Sequence, residues 1–245
     1  MKTVSMALAG PRVVEHLVDV VLMFEGDRQH LFRMLRGIKN RYGPTSELGL
    51  FHMAQAGLVA VPDPSRALLA ERPQGAPGSV VAAVLEGSRP MLVEVQALVA
   101  RAVGLPRRVV TGIDAHQAAL VLAVLERYGR QRLYDRDVYI KVTGGVTVED
   151  PAVDLAVAAA VVSSLTGRPV ADDWVIVGEV GLSGEIRTAP RMEDRLREAA
   201  QLGLQRALTP PVEGGGRIQV HGVRRIEAAL QALGLPSKPA ADNTL

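Results

Sequence analysis

The sequence contains no cysteine and is poor in aromatic residues. The absence of cysteine excludes disulfides, thiol nucleophiles and zinc sites built from cysteine ligands. The five histidines are scattered without metal-ligand spacing, so we predict that the chain holds no metal. Phe, Trp and Tyr make up only 3% of the residues, which argues against an extended aromatic platform for stacking bases.

Two longer patterns are also missing. No uncharged apolar run reaches the roughly 18 residues of a membrane span, and the N-terminus lacks the order of a signal peptide. We therefore expect a cytoplasmic protein that contacts no membrane. A Gly-x-x-x-x-Gly-Lys-Ser/Thr loop, whose backbone amides hold nucleotide phosphates in other proteins, occurs nowhere in the sequence. The chain is therefore not expected to hydrolyse ATP by itself.

The hydrophobic patterning predicts an α+β fold with ample apolar content for a packed core, since 48% of the residues are hydrophobic. Strands are predicted at 13–24, 30–41, 48–61 with a break at Gly57, 79–86, 90–99, 138–148 and 206–208, and a hairpin at 174–187. Helices are predicted at 114–128, 151–165, 191–202 and 224–233. The run from Val153 to Val162 is apolar almost all round, which indicates a helix buried on most faces.

The segment 72–78 is rich in proline and glycine and is typical of a linker. We place a domain boundary there. This predicts a first domain over residues 1–75, a second over 76–236 and a tail over 237–245.

The segment from Lys39 to Gly49 reads Lys-Asn-Arg-Tyr-Gly-Pro-Thr-Ser-Glu-Leu-Gly. It resembles the signature that RadA-type DNA repair proteins, which are RecA paralogues, carry between their ATPase core and their C-terminal domain. The resemblance implies that residues 1–75 end a RecA-like core and that Lys39 and Arg41 reach nucleotide bound by a neighbouring subunit. Residues two apart on a strand share a face, which suits joint contact with one phosphate cluster. By itself, Lys-Asn-Arg before a Gly-Pro turn is more often a solvated strand end.

The same resemblance has implications for cofactors and partners. It implies ATP and Mg²⁺ for the intact family protein, a four-cysteine zinc element that this sequence does not contain, a homo-hexamer, and RecA as a partner. We therefore expect the sequence to be part of a longer protein.

Residues 138–211 resemble the proteolytic domain of Lon, which has the fold called ribosomal protein S5 domain 2-like. The matching segments are Leu165-Thr-Gly-Arg-Pro169, Gly178-Glu179 and Leu182-Ser-Gly184. The resemblance places Ala152 at the position of the nucleophilic serine and Arg195 at that of the base lysine. A methyl group cannot attack a carbonyl, and a guanidinium stays protonated and cannot accept a proton. We therefore predict a domain without proteolytic activity.

Two other sets of residues are candidates for replacing the missing serine and lysine. Ser163 and Ser164 lie far along the apolar helix, where serines usually serve packing, and Ser183 lies in the predicted hairpin. A carboxylate cluster is the other alternative, although helix caps and salt bridges explain its members more simply: Asp114, Asp150, Asp154 and Glu179. Asp154 is moreover expected to repel a developing oxyanion.

The basic residues are almost all arginine, with only four lysines among 28. The planar guanidinium can hold two phosphate oxygens, although a net charge of +2 does not by itself establish a nucleic-acid partner. Between residues 101 and 141, eight basic residues face four acidic ones. We predict sequence-independent DNA contacts from seven of the eight: Arg107, Arg108, Arg127, Arg130, Arg132, Arg136 and Lys141.

A purely structural role is an equally good explanation for part of this set. Arg127, Arg130 and Arg132 surround the C-terminal end of a predicted helix, where cations complement the helix dipole. Arg224 and Arg225, at the start of the last predicted helix, are a secondary candidate because cations are unfavourable there.

These observations lead to one function hypothesis and two alternatives. We expect a DNA-binding and ring-forming module of a RadA-type protein, which by resemblance promotes branch migration during recombinational repair. The first alternative is a Lon-like serine peptidase with a relocated nucleophile. The second is an oligomerisation scaffold that touches no DNA.

Overall fold

The computed structural model describes residues 17–25, 32–45, 47–55, 57–212, 214 and 216–236. The chain forms two compact units, the first comprising residues 1–61 with 87–89 and the second residues 62–86 with 90–245. The predicted strand residues before 17 and the predicted tail over 237–245 lie outside the described residues.

The first unit is a four-stranded antiparallel sheet in the order β1-β2-β3-β4. Its strands are β1 (Val20–Glu25), β2 (Phe32–Asn40), β3 (Leu48–Ala54) and β4 (Gly57–Ala60). Met34, Leu48 and Leu50 are buried, whereas Leu22 and Phe24 of β1 remain more than half exposed. The predicted antiparallel strands are confirmed, and Gly57 begins β4 with a positive φ of 108° that favours glycine.

The second unit is built on a mixed seven-stranded sheet in the order β13-β12-β9-β5-β6-β8-β7. Its strands are β5 (Ser79–Glu86), β6 (Arg89–Arg101), β7 (Arg108–Thr111), β8 (Arg136–Val142), β9 (Trp174–Ile176), β12 (Arg206–Thr209) and β13 (Gln219–Gly222). The pairs β5–β9, β9–β12, β12–β13 and β7–β8 are parallel, and β6–β8 is antiparallel. Two further short strands, β10 (Glu179–Val180) and β11 (Ile186–Arg187), form a separate antiparallel ribbon.

Five helices are described, all in the second unit. They are α1 (Pro64–Leu69), α2 (Ala115–Arg127), α3 (Asp154–Thr166), α4 (Met192–Gln201) and α5 (Ile226–Ala232). Every residue of α3 from Asp154 to Ser163 is buried, as its all-round apolar sequence predicted. A 3₁₀ turn, Pro151–Val153, leads into α3, and Gly167 ends it in the left-handed conformation. The predicted α+β fold class is confirmed.

Four local features differ from the expectations drawn from the sequence. Helix α1 was not predicted because its six residues are too few to show periodicity. The four-residue strands β7 and β13 were missed for the same reason. The predicted hairpin over 174–187 was wrong in extent: β9 pairs in parallel with β5 and β12, and only β10 and β11 form a hairpin. A glycine that follows a helix commonly takes the left-handed conformation, but after α2 it is Arg130, with φ 54°, rather than Gly129 that does so.

Along the chain, the boundary between the two compact units lies between residues 61 and 62, whereas the boundary predicted from the sequence was 75/76. The intervening segment is attached to the second unit through buried hydrogen bonds. Ser65 Oγ donates to Glu198 Oε1 (2.6 Å) and accepts from Leu92 N (3.0 Å). Arg72 Nη1 donates to the carbonyl of Asp172 (3.1 Å). These contacts are long-range in sequence, so the composition of the linker did not reveal them.

Candidate functional site

Ala152 and Arg195, the two positions matched to the Lon nucleophile and base, line the same groove of about 460 Å³. Ala152 lies in the 3₁₀ turn before α3, and Arg195 lies in α4. Glu149 and Pro190 also line the groove. The structure therefore brings together two residues that are separated by more than forty positions in the sequence.

Asp150 joins the elements around this groove. Its Oδ1 accepts from Ala152 N (3.0 Å), and its Oδ2 accepts from Leu85 N (2.7 Å) and from Arg195 Nη1 (2.5 Å). Arg195 is fully buried, with Nη1 also donating to the carbonyl of Ala83 (2.8 Å) and Nε to that of Pro190 (2.9 Å). Three separate elements thus converge on one carboxylate, which offsets the cost of burying the guanidinium.

The chemistry available at these two positions is limited. Ala152 offers a methyl group, and the guanidinium of Arg195 forms a buried ion pair with Asp150. The side chains of Ala152 and Arg195 therefore cannot act together as a nucleophile and a general base.

Of the three serines considered as replacements, Ser163 and Ser164 use their hydroxyls in hydrogen bonds to the backbone. Ser163 Oγ donates to the carbonyl of Arg168 (2.6 Å) and accepts from Gly78 N (2.9 Å). Ser164 Oγ accepts from Val99 N (2.9 Å). Ser183 is exposed in the turn between β10 and β11, where its backbone N donates to Glu185 Oε2 (3.0 Å). The hydroxyls of Ser163 and Ser164 therefore hold α3 to neighbouring segments.

The four carboxylates considered as a cluster differ in their hydrogen-bond and ion-pair partners. Asp114 caps α2 by accepting from Gln117 N (2.9 Å), as predicted. Glu179 pairs with Arg187 across the β10–β11 ribbon at 3.5 Å. Asp154 is the exception, because it is 5% exposed and does not cap α3.

Asp154 is held by Gln117 Nε2 (2.7 Å) and by Val180 N (3.2 Å). Burial raises the pKa of this carboxyl to about 6, although both hydrogen bonds lower it and the nearby charges of Glu179 and Asp150 raise it further. The group therefore changes protonation near neutral pH, which sequence alone did not indicate.

The arginines predicted to contact DNA gather around the segment between α2 and β8. Arg108 Nη2 donates to the carbonyl of Leu133 (2.7 Å), and Arg108 Nη1 donates to the carbonyl of Arg136. Arg132 forms an ion pair with Asp135 (2.9 Å) and lies 5.0 Å from the ring centre of Tyr134. Much of the hydrogen-bonding capacity of these arginines is thus used within the protein.

The remaining predicted DNA contacts differ in position and accessibility. Arg107, Arg127, Arg130 and Lys141 are all exposed. Lys141 lies five residues along β8 from Arg136, which separates the two by about 17 Å. Of the secondary candidates, Arg225 lies 5.7 Å from the ring centre of Tyr128 and 3.9 Å from Glu227.

Arg101 was counted in the basic segment but not assigned a role. It is exposed at the end of β6, and the antiparallel register places it opposite Arg136 of β8. Within the described residues, no acidic side chain forms an ion pair with Arg101 or Arg107. The strand pairing is the signal that identifies Arg101, and it becomes visible only once the register is known.

Lys39 and Arg41 lie at the end of β2 in the first unit. Lys39 is opposite Val21 in β1, whereas Arg41 lies beyond the strand and pairs with Asp19 at 3.1 Å. Because Arg41 lies beyond the end of β2, strand alternation alone does not fix the face of its side chain relative to Lys39. Asn40 closes the following turn, since its Nδ2 donates to the carbonyl of Pro44 (3.2 Å) and its Oδ1 accepts from Tyr42 N (3.1 Å).

The described residues contain no group of three or more His, Asp or Glu side chains suited to holding a metal ion. None of the described helices is long and apolar enough to cross a membrane. The RadA resemblance implies a bound nucleotide, but this sequence contains no phosphate-binding loop of the Gly-x-x-x-x-Gly-Lys-Ser/Thr type. The resemblance suggests nucleotide contacts at Lys39 and Arg41.

Comparison with known proteins identifies relatives along nearly the whole chain. The sequence is 51% identical over 232 residues to a DNA repair protein RadA of Pseudomonas aeruginosa, which covers 93% of this chain and 51% of that protein. It is 48% identical over 231 residues to the DNA repair protein RadA of Listeria monocytogenes, and 45% identical over 231 residues to that of Bacillus subtilis. These two matches each cover 92% of this chain and 50% of the relative. The sequence is homologous to RadA proteins.

The resemblance found in the Lys39–Gly49 motif is thereby confirmed, and the chain spans about half the length of the RadA relatives it matches. Residues 96–213, which belong to the second unit, also match the family model described as subunit ChlI of Mg-chelatase. The Lon-like assignment of this segment stays a prediction.

Proposed function

We propose that this chain is a DNA-binding module of a RadA-type DNA repair protein. The proposal depends mainly on a cluster of arginines where β6 ends and β8 begins, formed by Arg101, Arg107, Arg108, Arg132 and Arg136. Arg101 and Arg107 are exposed and have no ion pair with a described acid, so their guanidiniums are available to phosphates. The name shared by the relatives supports a role in DNA repair.

Contacts of this kind set affinity without reading base sequence, because they address the phosphate backbone. The proposed binding is therefore sequence-independent and sensitive to salt. The side chain of Arg108 donates to the backbone carbonyl of Arg136. This hydrogen bond also helps to fix the position of the cluster. Arg127 and Arg130 extend the proposed surface from the end of α2.

The salt dependence of DNA binding tests this proposal. We expect the chain to bind duplexes of unrelated sequence with equal affinity, and the logarithm of the affinity to fall linearly with the logarithm of salt concentration. Arg101→Ala with Arg107→Ala should weaken binding uniformly and reduce the slope by about one per lost phosphate contact. Arg168→Ala, an exposed arginine after α3, is the matched control. An unchanged slope in the double variant would contradict the proposed surface.

Loss of proteolytic chemistry is a further part of the proposal. It rests on the methyl group of Ala152 and the ion-paired guanidinium of Arg195, which lie where the Lon resemblance expects a serine and a lysine. Incubation with an unfolded protein substrate tests the peptidase alternative directly. Fragments that disappear on replacing Ser163, Ser164 or Ser183 would overturn the proposal.

Ring formation, RecA as a partner and branch migration extend the proposal to the whole protein. In the whole protein, Lys39 and Arg41 would contact the phosphates of an ATP that a neighbouring subunit binds together with Mg²⁺. The exposed Leu22 and Phe24 of β1 are consistent with a sheet that continues a larger ATPase core.

A further inference from the structure

The loop between β6 and β7 carries two apolar side chains that are almost fully exposed. Val103 is 97% exposed and Leu105 is 91% exposed, the highest values among the large hydrophobic residues of the described chain. Single exposed hydrophobic residues are common on protein surfaces. Two at this exposure, separated only by Gly104, form a protruding apolar tip.

The base of this loop is fixed on the protein. Ala102 N donates to the carbonyl of Asp135 (3.1 Å), and Arg107 N donates to Asp137 Oδ1 (2.7 Å). Val138 N donates to the carbonyl of Arg107 (2.9 Å). Both ends are thus attached at β8 and the segment before it, while Gly104 at φ 96° supports the turn between them. The two apolar side chains project from a held base.

Positive charge flanks the tip on both sides. Arg101 precedes the loop and Arg107 ends it, and Arg136 lies opposite Arg101 across the β6–β8 pair. Two acids at the start of β8 and just before it are already engaged: Asp137 accepts from Arg107 N, and Asp135 pairs with Arg132. The surroundings of the tip are therefore complementary to a polyanion rather than to an acidic protein surface.

We propose that Val103 and Leu105 form an apolar wedge that contacts unstacked DNA bases while Arg101 and Arg107 hold the adjacent phosphates. The inference rests on the proposed DNA-binding function and specifies how the same surface engages its ligand. When apolar side chains insert between neighbouring bases, their contacts with the base faces offset the free energy needed to unstack the bases. Flanking cations add affinity through contacts with the phosphates. The wedge prefers DNA in which bases are already unpaired, because the unstacking cost is then smallest.

The test compares two oligonucleotides that differ only in a short unpaired bubble containing 2-aminopurine. The full chain should bind the bubble more tightly than the duplex and increase 2-aminopurine emission as the base unstacks. Val103→Ser with Leu105→Ser should reduce bubble affinity about tenfold and abolish the emission change, with the salt slope unchanged. Leu182→Ser, which replaces another exposed leucine at 65% exposure, is the control and should behave like the parent.

The outcomes separate this inference from the proposed function. If the double serine variant keeps both bubble preference and emission change, the wedge is wrong while salt-dependent DNA binding by the arginines stands. If the parent binds neither oligonucleotide at low salt, the proposed function and the wedge both fail. If the double variant alters self-association but leaves DNA binding intact, the tip contacts another protein chain and the wedge is overturned. Circular dichroism and an unchanged unfolding midpoint show that the variant is folded.

Discussion

At the scale of single residues, Arg195 shows how a buried charge is accommodated. Its guanidinium is completely buried and donates to Asp150 and to the carbonyls of Ala83 and Pro190. Such a pair does not necessarily stabilise the fold relative to apolar residues, but removing one partner leaves an uncompensated charge. Arg195 is thus a buried charge whose hydrogen bonds are all made within the protein core.

Replacing Arg195 with alanine is therefore expected to be strongly destabilising. We predict a loss of about 3–5 kcal/mol in the free energy of unfolding, measured by urea denaturation, because Asp150 remains buried without its partner. The double change Asp150→Asn with Arg195→Met should recover part of this loss. Arg197→Ala, two residues along α4 and exposed, is the control and should lie within about 0.5 kcal/mol of the parent. A near-neutral effect of Arg195→Ala would show that the pair contributes little.

Asp154 provides a pH-dependent test at the same scale. Its pKa is raised from 3.8 to about 6 chiefly by burial, so between these values the folded chain holds more protons on this carboxyl than the unfolded chain. Stability from this group is therefore lost as pH rises through that range, and the full penalty applies above pH 6. We predict that Asp154→Asn is more stable than the parent at pH 7.5, by up to about 3 kcal/mol, and that the difference shrinks toward pH 4.

Urea denaturation at several pH values measures this effect. Glu126→Gln, an exposed change in α2, should show no comparable pH-dependent difference from the parent. A difference for Asp154→Asn that grows as pH falls would contradict the burial argument.

At the scale of elements, α1 shows how a short helix acquires its position. Its N-terminus is capped by Asp63, which accepts from Arg66 N (2.9 Å), but six residues provide little stability by themselves. The fully buried Ser65 supplies the attachment, because its hydroxyl joins Glu198 of α4 to the backbone of Leu92 in β6. The segment just before the predicted linker is thus an ordered helix held by tertiary contacts.

Ser65→Ala should accordingly release α1. The change leaves Leu92 N and Glu198 without this partner, so we predict a loss of about 1–3 kcal/mol in the free energy of unfolding. Hydrogen exchange should show reduced protection over Pro64–Leu69. Arg66→Ala, an exposed position in the same helix, should have a much smaller effect, since its ion pair with Asp63 is solvent-exposed. Equal losses in both variants would indicate that the Ser65 bonds do not anchor the helix.

At the scale of the whole molecule, subunit assembly remains the main prediction. The resemblance to RadA implies six subunits. Sedimentation of the chain over a range of concentrations should show association toward that number. A monomer at every concentration would contradict ring formation by this chain, whereas association without DNA binding would favour the scaffold alternative. Sedimentation and DNA binding, measured on one sample, therefore distinguish a DNA-binding ring from a scaffold that touches no DNA.

Sequence alone determined the features that depend on local spacing and residue identity. The all-round apolar run of α3, the Asp114 cap and the β3–β4 break at Gly57 were predictable because they involve neighbours in the chain. The absence of a hydroxyl at Ala152 was equally readable, since the chemistry of a side chain is given by its residue type.

Tertiary structure alone decided which distant residues meet. The convergence of Leu85, Ala152 and Arg195 on Asp150, the raised pKa of Asp154 and the position of Arg101 opposite Arg136 all arise from contacts between distant segments. The exposure of Val103 and Leu105 likewise depends on how the loop base is attached to β8. Burial, charge pairing and strand register are properties of the folded chain, because each is set by residues that the sequence keeps far apart.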